Sequence, residues 1–279
     1  MGQTSSNPGQ AVRNTCIEPY EDTPRDVLAT ANDYPTHARL SAHKHRRGQL
    51  LHAGAGVVTV RTAAGSWVMP PRRALWIPAG VMHEVQLRGS VSLMSVYVDR
   101  AAADAAGLPL TCRVIEVSPL LNALLREAVE LPADYSLEGR DGRLMALLLD
   151  EIRLMPELAL STPLPRGRRL AALCRALIEA PSLEVGIDQM AARAGMSRRN
   201  FTRAFRAQTG MSFAAWRQQA CLLAALTRLD SGESITHVAV ELGYGSASAF
   251  TAAFRRVLGA APSRYLASAE RATGTAATR

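Results

Sequence analysis

Arg198, Arg199, Asn200, Thr202, Arg203 and Arg206 crowd one short stretch, interleaved with Phe201 and Phe205. Arg can bond guanine O6 and N7 bidentately, and Asn can do the same for adenine N6 and N7. The two Phe residues stand at i,i+4, so on a helix they share one face and leave the polar residues on the other. Ser197 precedes the stretch as a residue able to cap that helix, and Gly195 marks the turn before it. A second stretch repeats the device with Gly243, Ser246, Phe250 and Phe254; Ala247, Ser248, Thr251, Arg255 and Arg256 point outward from it. A short apolar helix, a Gly-centred turn and a capped second helix make a helix-turn-helix, whose second helix enters a DNA major groove.

The elements that must hold these residues follow from apolar spacing and punctuation. Helices are predicted over Arg168–Glu179, Ile187–Ala194, Arg198–Thr209, Phe213–Leu229, Ile235–Leu242 and Ala247–Leu258. Ile187–Ala194 with Arg198–Thr209 form the first unit. Ile235–Leu242 with Ala247–Leu258 form the second, and Phe213–Leu229 joins them. The rest of the chain reads differently. From Thr36 to Val117 it breaks into seven or eight short segments rich in β-branched residues, Leu or Trp and bounded by Gly or Pro, a pattern expected of a small β-barrel or jelly roll. Two Leu-striped helices follow, Pro119–Leu131 and Arg140–Met155. Their stripes either pack on the barrel or leave one face for a partner subunit.

The expected division is therefore an arm over 1–30 without fixed structure, a sensor and dimerisation domain over 31–155, a Pro-rich linker over 156–168, a DNA-binding domain over 169–267 and a flexible tail over 268–279. Charge divides the chain at the same place. From Arg166 onward there are 16 Arg and 7 acidic residues, whereas the preceding part carries 16 basic and 17 acidic ones. The whole basic excess of +8 thus lies beside the twin device, as a polyanion-binding module requires. No run approaches the ~20 apolar residues of a membrane span, and the polar N-terminus lacks the apolar core of a secretory signal. Four scattered cysteines with no CxxC pair fit a reducing compartment. A cytoplasmic protein without a membrane partner is the expectation.

The C-terminal third resembles the DNA-binding domain of AraC/XylS-type transcriptional regulators, from about Leu170 to Leu266. The stretches "AGMSRRNFTRAFRAQTGMSFAAW" and "LGYGSASAFTAAFRRVLGAAPSRY" carry the likeness, with Gly243, Tyr244, Ser246, Ser248, Phe250, Phe254, Gly259, Pro262 and Tyr265 at the family's spacings. The resemblance implies two recognition helices set in successive major grooves by the connector. It implies Arg199, Thr202 and Arg203 as base-readers, with Arg198 and Arg206 on phosphates. The second helix has Ala252 where relatives often place Arg, so backbone contacts through Ser246, Arg255 and Arg256 are its expected part. Cys221-Leu222 stands where the connector usually opens with a basic residue. The ordinary reading of Cys221 is a semi-buried thiol.

The N-terminal barrel resembles a cupin. His43, His45, Gln49 and Gly56 fit its first motif, and Pro78, Gly80 and His83 its second. Residues two apart on a strand point to one side, so His43 and His45 can converge with His83. The resemblance implies either a divalent transition metal on His43, His45, Gln49 and His83, a metal-free effector pocket lined by His43, His45, Gln49, Trp76 and His83, or a structural His cluster. Gln49 stands where cupin enzymes carry an anionic Glu, and Arg72 replaces the Gly that usually opens the second motif.

These readings combine into an α+β multidomain chain: a cupin-like β-barrel with two following helices, then an all-α domain of two helix-turn-helix units joined by a long helix. The expected function is a one-component, sequence-specific transcriptional regulator, a homodimer on promoter DNA. An effector would be sensed in the barrel, and RNA polymerase would be a partner if the regulator activates. It needs no cofactor to bind DNA, and a metal in the barrel stands as the candidate addition. The alternative, a dioxygenase-like cupin enzyme carrying a DNA-binding tail, is disfavoured by Gln49. The chain also has no Ser-His-Asp set, P-loop or GxGxxG.

Overall fold

A computed structural model describes residues 12–14, 17–88 and 91–264. Nine strands come first: β1 (Val12–Arg13), β2 (Val27–Tyr34), β3 (Arg39–His43), β4 (Gly48–Ala53), β5 (Val57–Thr62), β6 (Gly65–Met69), β7 (Arg73–Ile77), β8 (His83–Arg88) and β9 (Val91–Val98). Then follow α1 (Arg100–Ala105), β10 (Arg113–Glu116), α2 (Pro119–Ala128), α3 (Arg140–Leu154), β11 (Glu157–Leu158) and β12 (Ser161–Pro163). The remainder is helical: α4 (Arg168–Glu179), α5 (Ile187–Ala194), α6 (Arg198–Thr209), α7 (Phe213–Asp230), α8 (Ile235–Glu241) and α9 (Ala247–Leu258).

The strands build two sheets, ordered β1-β2-β9-β4-β7-β10-β11 and β12-β6-β5-β8-β3. Leu51, Leu75 and Ile77 from the first meet Val58, Val60, Met69, Val85 and Leu87 from the second in one buried cluster. Their alternates on the first sheet, Leu50, Ala74, Trp76, Val96 and Val98, face outward and are covered by Leu121, Leu125, Leu144, Leu148 and Ile152 of α2 and α3. The stripes of both helices are thus largely spent on the sheet. Leu120, Leu147 and Leu154 stay exposed.

Three expectations are corrected here. The described residues of the 1–30 stretch are not a structureless arm. Ile17 is buried, Glu18–Tyr20 make a 3-10 turn, and β2 already begins at Val27. Order in this strap comes from a residue far along the chain. Buried Arg47 donates to the backbone carbonyls of Glu21, Thr23, Arg25 and Asp26 at 2.8–3.3 Å. Residues 1–11, 15 and 16, with Cys16, lie outside the described residues, as do Tyr265 and the 268–279 tail.

The 156–168 segment is not a free linker either. Its β11 pairs with β10 and its β12 with β6, so it is sewn into both sheets. Its prolines are compatible with this because β12 is an edge strand, where a missing N–H costs no ladder bond. The same segment holds the DNA-binding domain. Trp216 Nε1 of α7 donates to Pro163 O at 2.7 Å, and the Gln219 amide donates to the carbonyls of Ala159 and Ser161. Arg61 of β5 pairs with Glu179 of α4 at 2.8 Å across the same junction.

The third correction concerns Trp76. It is buried among Leu50, Ala74 and the α2–α3 leucines, and its Nε1 donates to Pro109 O at 2.8 Å. Directly opposite residues share a face in an antiparallel pair. Gln49 pairs with Ile77 on the inner face, and Leu50 pairs with Trp76 on the outer one. Trp76 belongs to the core outside the barrel, and not to any effector pocket.

Candidate nucleic-acid interface and sensing cavity

The first unit is fixed by local chemistry. Gly195 ends α5 at φ 68, in the left-handed region that Gly enters without a Cβ clash. Ser197 caps α6 by accepting from Asn200 N, and Phe201 and Phe205 are sunk at 0% and 1% exposure. Those rings pack on Phe213 and Trp216 of α7 at centroid distances of 5.6–5.8 Å. The opposite face of α6 is left to solvent, and Arg198, Arg199, Thr202, Arg203, Arg206 and Ala207 line one open groove there. Asn200 is also exposed, and its Oδ1 accepts from Arg203 at 3.3 Å. Arg198 meets Asp188 of α5 at 3.1 Å.

The second unit repeats this frame. Gly243 follows α8 at φ 83, Ser246 caps α9 through Ala249 N, and Phe250 and Phe254 are both fully buried. Tyr244 stacks edge-on against Phe250 at 5.2 Å. The outward face of α9 carries Ala247, Ser248, Thr251, Ala252, Arg255 and Arg256. Arg256 reaches back to Gln218 Oε1 of α7 at 3.1 Å.

Cys221 lies on the buried side of α7, and burial pushes its thiol pKa up to about 12, so it carries no thiolate at neutral pH. Cys112 and Cys174 are shifted the same way for the same reason. None of the three is bridged.

In the barrel, β3 and β8 lie side by side and bring His43 opposite His83. The rings of His43, His45 and His83 lie 4.4–5.5 Å apart, and one nitrogen from each falls within 4.8 Å of the others. Two backbone carbonyls set the tautomers. His43 Nδ1 is 2.6 Å from Ser41 O, and His83 Nδ1 is 2.9 Å from Val81 O. A carbonyl only accepts, so each Nδ1 carries the hydrogen and each neutral ring keeps a bare Nε2. Burial lowers the pKa of His83 to about 4 and that of His45 below its ordinary value, with the neighbouring His43 adding to both shifts.

Both ring nitrogens of His45 and Nε2 of His83 are buried without a hydrogen-bond partner, as is Gln49 Oε1. The Gln49 amide donates to Ser95 Oγ and Tyr97 Oη at 3.1 Å. His43, His45 and Gln49 line a cavity of about 510 Å³, with Leu51, Ser95 and Tyr97 on its wall. His83 stands behind His43 and faces a second cleft beside α4. Arg72 sits at φ 63, the left-handed conformation a Gly would adopt without strain.

One polar residue here was not anticipated. Glu21 of the strap is half-buried against His45, with Oε1 3.7 Å from Nδ1, and Arg46 holds the carboxylate from the other side. No local spacing marks Glu21, because the strap is positioned by Arg47. His52 is buried on the outer face with Nδ1 at 2.9 Å from Arg73 O, and His237 is exposed beside Glu233.

Comparison with known proteins agrees with both halves. Residues 25–154 match the family model of the AraC-like ligand binding domain, and residues 190–268 match a helix-turn-helix domain. The chain is 33% identical over 225 residues to the HTH-type transcriptional regulator NimR of Escherichia coli, covering 81% of each protein. It is 36% identical over 118 residues to the HTH-type transcriptional regulator RipA of Corynebacterium glutamicum, covering 42% of this chain and 35% of that one. Among solved structures it is similar to the DNA-binding domain of AdpA in complex with a target DNA, at 33% identity and TM-score 0.36, over 38% of this chain and 96% of that one. No helix among the described residues is long and apolar enough to cross a membrane. The chain belongs to the AraC family of DNA-binding transcriptional regulators, with a ligand-binding domain ahead of its helix-turn-helix region.

Proposed function

We propose that this regulator works as one component. An occupant of the barrel cavity shifts the balance between two arrangements of the protein, and with it the occupancy of promoter DNA. The observation that carries the DNA-binding half is the open, Arg-lined face of α6. Helices α6 and α9 enter successive major grooves, about one turn or ~34 Å apart. Arg199, Thr202 and Arg203 read base edges, with Asn200 beside them. Arg198, Arg206, Ser246, Arg255 and Arg256 hold the backbone, and the short side chains of Ala247, Ser248 and Thr251 touch a thymine methyl or a phosphate. Binding weakens steeply with salt, because each neutralised phosphate releases counterions.

The protein acts as a homodimer through the leucines that α2 and α3 leave exposed, and it contacts RNA polymerase where it activates. Its relatives are named as regulators, and no observation favours a cupin enzyme. DNA binding requires no cofactor. The orphaned nitrogens of His45 and His83, the bare Nε2 of His43 and the free Oε1 of Gln49 nonetheless form a donor set that suits a divalent transition metal. Such an ion would supply a fixed positive charge to which an effector could bind.

The test is quantitative footprinting of the full chain on its own promoter region. We expect two protected major-groove faces one helical turn apart at a defined sequence. Protection that is indifferent to sequence would instead mark an architectural DNA-binder.

A further inference from the structure

We infer that the first helix-turn-helix unit holds the duplex at a third place. Arg166, Arg168, Arg169 and Arg193 take the sugar-phosphate backbone on the outer flank of the groove that α6 enters, and the second unit has no counterpart. The inference rests on the docking of α6 proposed above and adds a surface to it.

Three arginines stand at the start of α4, Arg166, Arg168 and Arg169, and no acidic residue follows before Glu179. Two contacts carry this stretch to α6. Gly167 N donates to Gln208 Oε1 in the last turn of α6 at 3.2 Å. Arg169 Nε donates to Arg193 O at the end of α5 at 3.1 Å, and its Nη1 comes within 3.0 Å of the place a Cβ would take on Gly195. Arg169 is thus pinned against the turn that leads into α6, with both Nη groups left to donate. All four arginines are exposed, and none forms an ion pair among the described residues. The nearby carboxylates are engaged elsewhere, Asp188 with Arg198 and Glu179 with Arg61.

A helix with its side chains is ~10–12 Å across and the major groove ~12 Å wide, so α6 fills the groove. Whatever stands beside α6 meets the strands that wall it, where phosphates and not base edges are within reach. The guanidinium fork pairs bidentately with phosphate oxygens. These arginines therefore extend the Arg-lined face of α6 into one cationic surface along the duplex. That continuity favours DNA over an acidic protein segment. The second unit reverses the sign at the matching place. The neighbours of Gly243 are Leu183 and the exposed Glu184, whose Cγ stands 3.4 Å from the place of a Cβ. A carboxylate there repels the backbone that Arg169 attracts.

The experiment puts the full chain on the duplex it protects in its own promoter region, with hydroxyl-radical footprinting and affinity measured over a range of salt. Arg168→Ala combined with Arg193→Ala should uncover the backbone on the outer side of the α6 groove. It should also make the slope of log affinity against log salt shallower by about 2, since each lost phosphate contact removes about 0.9. The pattern of penalties for base changes should stay the same, because phosphate contacts carry no sequence information. The melting temperature should hold and so exclude a folding defect. Glu184→Arg should lengthen protection beside α9 and steepen the slope by about 1. An unchanged slope and footprint in the double variant overturns the inference, and in Glu184→Arg it overturns the sign difference between the units. Loss of transcription activation with DNA affinity intact also overturns it, and assigns the patch to an acidic protein surface. If base changes under α6 carry no penalty while the double variant still flattens the slope, the docking of α6 fails and the backbone contact stands.

Discussion

In the first helix-turn-helix unit Phe201 and Phe205 are sunk under α6, and in the second Phe250 and Phe254 are sunk under α9, with a capping Ser and a left-handed Gly at matching places in both. Between the buried rings the surfaces diverge. Helix α6 presents Arg199, Thr202 and Arg203, where α9 presents Ser248, Thr251 and Ala252. The cores differ as well. That of the first unit closes on itself around Phe213, Trp216, Met190 and Leu164. That of the second runs on through Leu222, Leu226 and Leu229 of α7 into the apolar interior of the barrel. One scaffold thus stands in two settings: the first copy keeps an open, Arg-lined face, and the second packs into the barrel.

The largest test of this contrast is the part that should show none. Phe205→Ala and Phe250→Ala should each cost about 3–5 kcal/mol in denaturant unfolding. A much smaller loss in one unit would mean the frames are not equivalent. Next comes reading. Arg199→Ala or Arg203→Ala should cost about 1–3 kcal/mol of operator affinity and relax preference at one base pair. Arg255→Ala should weaken all sequences alike and lower the slope of log affinity against log salt by about 1.

Anchoring can be tested through Gln219. Replacing it by Leu leaves the carbonyls of Ala159 and Ser161 without their donor, at a cost of about 1–3 kcal/mol. It should blunt the response of DNA binding to a barrel occupant while sparing binding itself. The smallest expected effect lies in the turns. Gly195→Ala and Gly243→Ala each force a left-handed Ala at about 1–2 kcal/mol. The first should cost more, because the new methyl meets Arg169 Nη1 at 3.0 Å and disturbs its bond to Arg193 O, whereas the second meets nothing closer than 3.4 Å. Equal melting shifts would contradict that ordering.

The helical domain was readable because its signals are local. Gly195, Ser197 and Phe201 each act within one turn of the chain, and the bounds of α5, α6 and α9 follow from them. The barrel was readable only in outline. Its first sheet is buried on both faces, so Leu75 and Ile77 look no different in sequence from Ala74 and Trp76, and only the pairing with β4 separates inside from outside. The strap around Glu21 and the strands at 157–163 depend on partners far along the chain, Arg47 in one case and β6 and β10 in the other. Composition rich in Pro, Ser and Thr suggested loops there; edge pairing makes strands within 157–163, whereas the strap is a 3-10 turn ordered by Arg47. The three His were legible as a group because they fit the spacing of the two cupin motifs, although His45 falls just past the end of β3 and not on one strand face with His43. Their tautomers were not, since they depend on how the local backbone turns the carbonyls of Ser41 and Val81 toward the rings, and neither was the nearby carboxylate of Glu21, which tertiary contacts place.

The most direct measurement is a base-by-base substitution scan of the operator, with affinity measured for every single change across both grooves. The account predicts penalties of about 1–3 kcal/mol per base pair concentrated under α6, with shallow penalties under α9. Penalties of equal depth in both grooves would contradict it.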